Sequence, residues 1–337
     1  MSETLKIVIP MAGLGTRLRP HTWSKPKPLI RIAGKAVLAY ILDLFQTLPD
    51  PNNVELIFII GHLGDQVRDF MQQDYPQLQA HYVVQEEMRG QSDAVYLAKE
   101  HLSGPMIIAY ADTILETSFA FLSNETCDAV AWVKPVPDPR RFGVAEINER
   151  GRVISLIEKP QEPKNNLAVV GFYYFRDAHQ VISAIEDQFR QGLTLKGEYF
   201  LTDAINILLK RGINMRTEPV EVWLDAGTPE ALLDTNRYLL DHGRATDPSD
   251  FCKDGVAVVP PVYIHPDADV KASVIGPYVS LGGECHIQGS IIRNSIIGED
   301  AQVTDTLLEG SLLGQHVQVN GQATSLNLGD SSWAMMK

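Results

Sequence analysis

The sequence predicts an α/β fold, a doubly wound mixed sheet, followed by a short parallel β-helix. Two observations carry the first part: through the first 240 residues short runs rich in Val and Ile alternate with amphipathic stretches, and a glycine-containing loop follows the first run. One observation carries the second. Past about residue 250, single Ile, Val and Leu residues recur in six-residue steps among Gly, Asn and Asp, with no helical period. The expected organisation is an α/β domain at 1–241, a linker at 242–255 and a β-helix at 256–330.

The elements follow in chain order. "LKIVIP" (5–10), "VELIFII" (54–60), "PMIIAYA" (105–111) and "CDAVAWV" (127–133) read as short buried strands. "AVLAYILDLFQTL" (36–48) and "SDAVYLAKEHL" (92–102) have helical periodicity, the second with Ser92 as its N-cap. Such Rossmann-like sheets bind ligands beyond the carboxyl ends of their strands, which is where residues 11–30 and the segment after Ala111 fall. The polar, turn-rich "HGRATDPSDFCKDG" (242–255) separates the two parts. Beyond it, Ile264 and Val270 open the repeat. Val279, Cys285, Ile291, Ile297 and Val303 then step by six, and Leu307, Leu313 and Val319 resume the step after a phase break.

Composition narrows the function classes. Over 337 residues there are 42 acidic and 29 basic side chains, a formal net charge of −13, which excludes the broad basic surface a nucleic-acid partner needs. An anionic partner must therefore be small and held locally. Cys127, Cys252 and Cys285 are far apart and form no CxxC pair, so reduced thiols are expected rather than a zinc site or a disulfide framework. No apolar run approaches the roughly 18 residues of a membrane span, and Met1-Ser2-Glu3-Thr4 lacks the character of a secretory signal. A cytoplasmic protein with no membrane partner is the expectation.

Against that acidic background, "PMAGLGTRLRPHTWSKPKPLI" (10–30) is inverted in charge. It holds Arg17, Arg19, Lys25 and Lys27, and no Asp or Glu occurs between Glu3 and Asp43. No Gly-Lys-Ser or Gly-Lys-Thr is present, which excludes the Walker loop, and Leu18 stands where the dinucleotide fingerprint needs its third glycine. What remains is a strand running into Gly13 and Gly15, whose small size lets backbone N–H groups approach a phosphate chain, followed by Arg17 for a bidentate grip. Lys27 adds charge on a stiff Pro26-Lys27-Pro28 arm. A plain glycine turn with solvated bases would account for the glycines alone; the full set reads as a triphosphate cradle.

The complete pattern, "GLGTRL" with "RP", a Thr and "PKPL", resembles the signature of the sugar-1-phosphate nucleotidylyltransferases. "IPMAGLGTRL" is similar to the UTP:glucose-1-phosphate branch, and "RPHTWSKPKPL" to the thymidylyltransferase and hexapeptide-tailed branches. The resemblance implies a nucleotidyltransferase sheet, a left-handed hexapeptide-repeat β-helix, and a nucleotide site that includes Ala12, Gly13, Gly15 and Thr16. It also implies that Asp112, after "PMIIAYA", and Asp225, in "VWLDAGTPEALL", hold Mg²⁺, which takes one or two carboxylates beside phosphate and water oxygens. Within "RFGVAEINERGRVISLIEKPQEPKNNLAVVGFYYF" (141–175), Gly143, Glu158, Asn166 and Gly171 would surround the sugar hydroxyls, and Lys159 would bind the sugar phosphate. Asp203, in "GEYFLTDAI", reads as a helix N-cap.

In "VVQEEMRGQSDAV" (83–95), Gln85 falls where the family reads the base, and an amide both donates to and accepts from the imide edge of uracil or thymine. Gly90 fits a close approach to the nucleotide, while Gln91-Ser92-Asp93 departs from the family's usual run. The implied activity joins UTP or dTTP to a sugar 1-phosphate, glucose 1-phosphate first, releasing pyrophosphate, with Arg17, Lys27 and Lys159 as the catalytic cations. Two other readings compete. One makes the tail an acyltransferase using His265, His286 or His316; the other makes the chain a non-catalytic sensor of nucleotide sugars. For the tail itself, homo-oligomerisation or regulation is the expected role.

Overall fold

The computed structural model describes residues 3–253, 255–321 and 325–335. By compactness the chain divides into two units, Met1–Gly13 with Ile41–Trp223, and Leu14–Tyr40 with Leu224–Lys337.

The first unit is built on a nine-stranded mixed sheet. Its strands are β1 (Leu5–Pro10), β2 (Val54–Ile60), β3 (Ala80–Val84), β4 (Met106–Ala109), β5 (Ala129–Pro135), β6 (Gly143–Ile147), β7 (Val153–Glu158), β8 (Leu167–Phe175) and β9 (Met215–Pro219). The path runs β7-β6-β8-β4-β1-β2-β3, with β5 paired to both β8 and β9. The β4-β1-β2-β3 stretch is parallel, with Ile7 opposite Leu56 and Ile107. Val8, Ile57, Ile107 and Ile108 are fully buried, as parallel strands covered on both faces require. The antiparallel half, β5 to β8, follows Ala129 and was only partly visible in the sequence.

Helices cover the sheet where their apolar faces match it. The expected helix at 36–48 is α1 (Val37–Leu44) with a short 3-10 turn, Phe45–Thr47, and α2 is Gly64–Asp74. The one expected at 92–102 is α3 (Gln91–Leu97), followed by a 3-10 turn at Lys99–His101. Ser92 is not its cap. Gly90 holds that position, and the Ser92 hydroxyl is buried without a hydrogen bond. In α4 (Ala178–Gln191) the N-cap Asp177 accepts from His179 N at 2.9 Å, and Val181, Ala184 and Ile185 turn into the core beside Leu201 and Ile205 of α5 (Leu201–Lys210).

In the second unit, three sheets of two- and three-residue strands run parallel throughout, the arrangement of the left-handed β-helix. Ile264, Leu281, Ile297 and Leu313 stack in register on one face, Val270, Ile287, Val303 and Val319 on the second, and Ile275, Ile292 and Leu308 on the third. The strict six-residue step therefore needs correcting. Ile291 and Leu307 are 39% and 45% exposed, while Ile292 and Leu308 are fully buried. From Leu281 to Ile297 is 16 residues, so some steps shorten to five and the inward position shifts by one. At one coil corner a Cβ built on Gly298 would lie 2.5 Å from the Gly314 carbonyl, so only glycine fits there. Cys127, Cys252 and Cys285 are all free thiols.

Helix α6 (Pro229–Leu239) also belongs to this second unit, with Thr228 as its N-cap. Its buried Asn236 accepts from Ala33 N at 3.0 Å and from Ser280 Oγ at 2.6 Å. One amide thus ties residues 31–36 to the coils.

Candidate functional site

The glycine loop lies mostly in the second unit, and its shape follows from local sterics. Gly15 is left-handed (φ 59°), and a Cβ there would sit 2.9 Å from Thr22 Cγ2, while Thr22 Oγ1 donates to Gly15 O at 2.9 Å. Thr16–Leu18 then form one 3-10 turn that buries Leu18 and leaves Thr16 and Arg17 exposed. Lys27 begins a second such turn, and its Cβ lies 3.4 Å from the built Gly15 Cβ, so its side chain departs from beside the loop. Arg17 Nη2 and Asp225 Oδ1 converge on Gly227, 3.1 and 2.7 Å from a Cβ built there. A predicted phosphate ligand and a predicted metal ligand are thereby brought to one spot.

Lys25 goes the other way. Burial lowers its pKa while Glu299 and Asp330 oppose that shift, and it lines a cavity with His21, Arg31 and the coil corners. The two lysines of Lys25-Pro26-Lys27 therefore face different surroundings: Lys25 lines the cavity and the Lys27 Cβ stands beside Gly15.

The remaining predicted residues belong to the first unit. Ala12 is buried, and a Cβ on Gly61 would lie 2.7 Å from its carbonyl oxygen; Gly13 faces open space, with nothing within 4 Å of a built Cβ. Gln85 is 5% exposed, and its Nε2 donates to Asp93 Oδ2 at 3.0 Å and Gly90 O at 3.3 Å. Arg89 Nη1 stands 3.5 Å from the other Asp93 oxygen. Gly90 (φ 111°) is required by the chain itself, since a Cβ would meet the Tyr199 carbonyl oxygen at 2.5 Å.

Glu158 ends β7 and Lys159 follows it, the Lys159 Nζ 3.8 Å from Glu158 Oε1. The Glu158 side chain is 13% exposed, and burial raises its carboxyl pKa despite the opposing Lys159 charge and the Thr202 hydroxyl, which donates at 3.4 Å. Gly143 keeps this corner open: a Cβ there would stand 3.3 Å from Glu158 Oε2 and 3.2 Å from Thr202 Cγ2. Lys159 has a left-handed backbone (φ 46°), held by Lys159 N donating to Phe142 O at 2.9 Å, and its ammonium lies 4.4 Å from the Phe200 ring centre. Gly171 (φ 83°) lets the Tyr110 ring pack where a Cβ would come within 2.7 Å. Asp112 lies just past β4, and its charge reaches Tyr110, whose hydroxyl pKa burial raises most. Asn166 is exposed and contributes its carbonyl, which accepts from Val136 N at 2.9 Å.

Asp203 is not the helix N-cap. Phe200 occupies that position, and Asp203 stands in the first turn of α5, its pKa raised by burial and its charge felt by Glu158. Sequence reasoning also passed over Asp93, Thr202 and Asn236. Each acts by supporting another side chain, and no spacing in the chain announces that. The three tail histidines each lie within reach of a carboxylate: His265 at 3.6 Å from Asp267, His286 at 3.4 Å from Asp269 and His316 at 2.7 Å from Asp300.

Comparison with known proteins supplies the family context. Residues 6–242 match the family described as nucleotidyl transferase. A glucose-1-phosphate thymidylyltransferase of Streptomyces griseus is 30% identical, over 98% of this chain and 99% of that one. A low-salt glycan biosynthesis nucleotidyltransferase of Haloferax volcanii is 33% identical over 94% of each. Among solved structures, a Bacillus anthracis chain described as a glucose-1-phosphate thymidylyltransferase in complex with a sucrose superposes with a TM-score of 0.59. It is 28% identical and is matched over 96% of its length and 72% of this chain.

Proposed function

Because the chain belongs to the nucleotidyl transferase family, we propose that it is a sugar-1-phosphate nucleotidylyltransferase that joins UTP or dTTP to glucose 1-phosphate. In this reading residues 1–241 are the catalytic domain, 242–255 the linker and 256–330 the β-helix. The observation that carries it is the left-handed turn at Gly15, which lies beside Lys27 and leads into exposed Thr16 and Arg17, with the Arg17 guanidinium and the Asp225 carboxylate both close to Gly227.

A phosphate oxygen of the sugar 1-phosphate attacks the α-phosphorus in line. A new O–P bond forms, the bond to the β-phosphate breaks, and pyrophosphate leaves. The nucleophile is already anionic, so no general base is required, and catalysis consists of positioning and charge neutralisation. Lys159 aligns the attacking phosphate. Arg17 and Lys27 offset charge on the transferred and leaving phosphates, with Gly13, Gly15 and Thr16 offering backbone N–H groups from the loop. Glu158 accepts from vicinal sugar hydroxyls, with Gly143, Asn166 and Gly171 around the ring, and Gln85 reads the base.

Asp112 and Asp225 supply hard carboxylate oxygens, the donor chemistry that fits Mg²⁺. Bound Mg²⁺ supplies neutralisation of the phosphate charge and polarisation of the α-phosphate. Asp112→Asn is expected to keep the fold and lose most turnover; near-normal activity would remove it from the metal set.

The deciding assay is pyrophosphate release with Mg²⁺ across the common NTPs and several sugar 1-phosphates. A signal with UTP or dTTP supports the reaction and the role of Gln85. A signal with ATP, GTP or CTP keeps the reaction and discards that role. Silence from folded protein favours the sensor reading.

A further inference from the structure

We propose that the terminal coils of the β-helix are a positioning element for the triphosphate loop, acting through Asn327 on His21 and Asp330 on Ser24. The proposal rests on the nucleotidylyltransferase reading and gives the tail a part in nucleotide binding, beyond assembly or regulation.

The segment that follows Arg17 is fastened to the coils at successive points. His21 is buried and its Nε2 meets Asn327 Oδ1, an amide oxygen that accepts from a proton on Nε2. Ser24 Oγ donates to Asp330, whose other oxygen accepts from Gln315 N at 2.7 Å. Arg31 Nε lies 3.1 Å from Glu299 Oε1. Between these contacts a Cβ built on Gly329 would stand 2.8 Å from Pro20 Cβ and 3.0 Å from Pro20 O, so coil backbone and loop backbone are in direct contact. The contacts bracket Thr22, whose hydroxyl holds the Gly15 carbonyl.

A chain of packed groups therefore runs from Asn327 through His21 and Thr22 to Gly15, and from there to Arg17 and Lys27. A loop of short 3-10 turns has little hydrogen bonding of its own to hold it. From Gly15 to Trp23 its backbone contacts are Leu18 N to Gly15 O at 2.8 Å, Arg19 N to Thr16 O at 3.4 Å and Trp23 N to Pro20 O at 3.1 Å. Charge on Lys25, half-buried in the cavity behind the loop near Glu299 and Asp330, adds to the fastening.

The test uses the full chain carrying Asn327→Ala, which removes the acceptor for His21, and independently Gly329→Ala, which pushes a methyl into Pro20. Asn327→Asp, which keeps an acceptor oxygen, is the conservative control. For Asn327→Ala the KM for the nucleotide is expected to rise about tenfold, the effect of losing one buried hydrogen bond, and for Gly329→Ala by about the same factor as the added methyl displaces the loop backbone at Pro20. The KM for the sugar 1-phosphate is expected to stay within about twofold, and Asn327→Asp to restore the nucleotide KM. Hydrogen exchange of amides 15–23 should accelerate in the two variants and return to wild-type rates in the control. Equal rises in both KM values, or unchanged exchange in that window, would overturn the proposal. If the wild type releases no pyrophosphate, the activity reading falls on its own, and the exchange rates with and without inorganic tripolyphosphate still decide the positioning role.

Discussion

The Gln85 amide donates through Nε2 to the carboxylate of Asp93 at 3.0 Å, with both side chains buried. The remaining amide oxygen therefore has a fixed direction. A base reader needs that, because an amide free to flip presents donor and acceptor interchangeably. Asp93→Ala is expected to lower discrimination between nucleotides about tenfold, the worth of one oriented buried hydrogen bond, while turnover with the preferred nucleotide falls less. Competition assays with paired nucleotides measure the ratio directly; an unchanged ratio would show that Gln85 does not read the base.

Glu158 gives a pH signature. Its carboxyl pKa is raised by burial, with Asp203 adding to the rise and Lys159 and Thr202 opposing it. The folded state thus holds this proton more tightly than the unfolded chain. Its contribution to stability is greatest below the ordinary value of 4.5 and is lost as pH rises through the raised folded value. Hydroxyl recognition needs the ionised form, so the KM for the sugar 1-phosphate should climb on acidification at a midpoint above 4.5. Glu158→Gln should abolish that dependence, raise this KM at least about tenfold, and leave the nucleotide KM unchanged. A pH profile identical to wild type would assign the titration elsewhere.

These two sites show what a single sequence reveals. The glycines, Arg17, Lys27, Glu158 and Lys159 were legible because phosphate and sugar chemistry restricts residue type at short spacing. Asp93 and Thr202 were not, since each works by touching a residue brought close only by the fold. Lys25 and Lys27 look alike in the chain; a two-residue offset around Pro26 separates a loop cation from one facing Glu299 and Asp330. The same holds for Ser92, a good N-cap by type, displaced by Gly90 because the Tyr199 backbone passes too close for any side chain.

Glu125 is the structural counterpart, with the opposite sign. Burial alone would raise its carboxyl, but Arg216, at 2.7 Å, and the backbone N–H of Cys127, at 2.8 Å, outweigh it and hold the pKa down at about 2. A depressed carboxylate contributes stability above its unfolded value of 4.5 and loses it as pH falls through about 2. Glu125→Ala removes one of the two carboxylates paired with Arg216, Glu218 being the other, together with the acceptor for Cys127 N, and should cost about 2 kcal/mol at neutral pH. Denaturation at pH 7 and near pH 2 checks this: the gap between wild type and variant should narrow sharply in acid, and a constant gap would assign the loss to packing.

The β-helix offers the sharpest contrast between a periodic reading and the folded chain. A strict six-residue step puts Ile291 in the core, whereas the coils put Ile292 there, fully buried between Ile275 and Leu308, and leave Ile291 39% exposed. Removing a buried isoleucine side chain opens a cavity that a stacked coil cannot close without moving its neighbours. Ile292→Ala should therefore cost about 3 kcal/mol, and Ile291→Ala less than about 1 kcal/mol. Thermal melts of the two variants decide between the registers, because the six-residue step requires the reverse order.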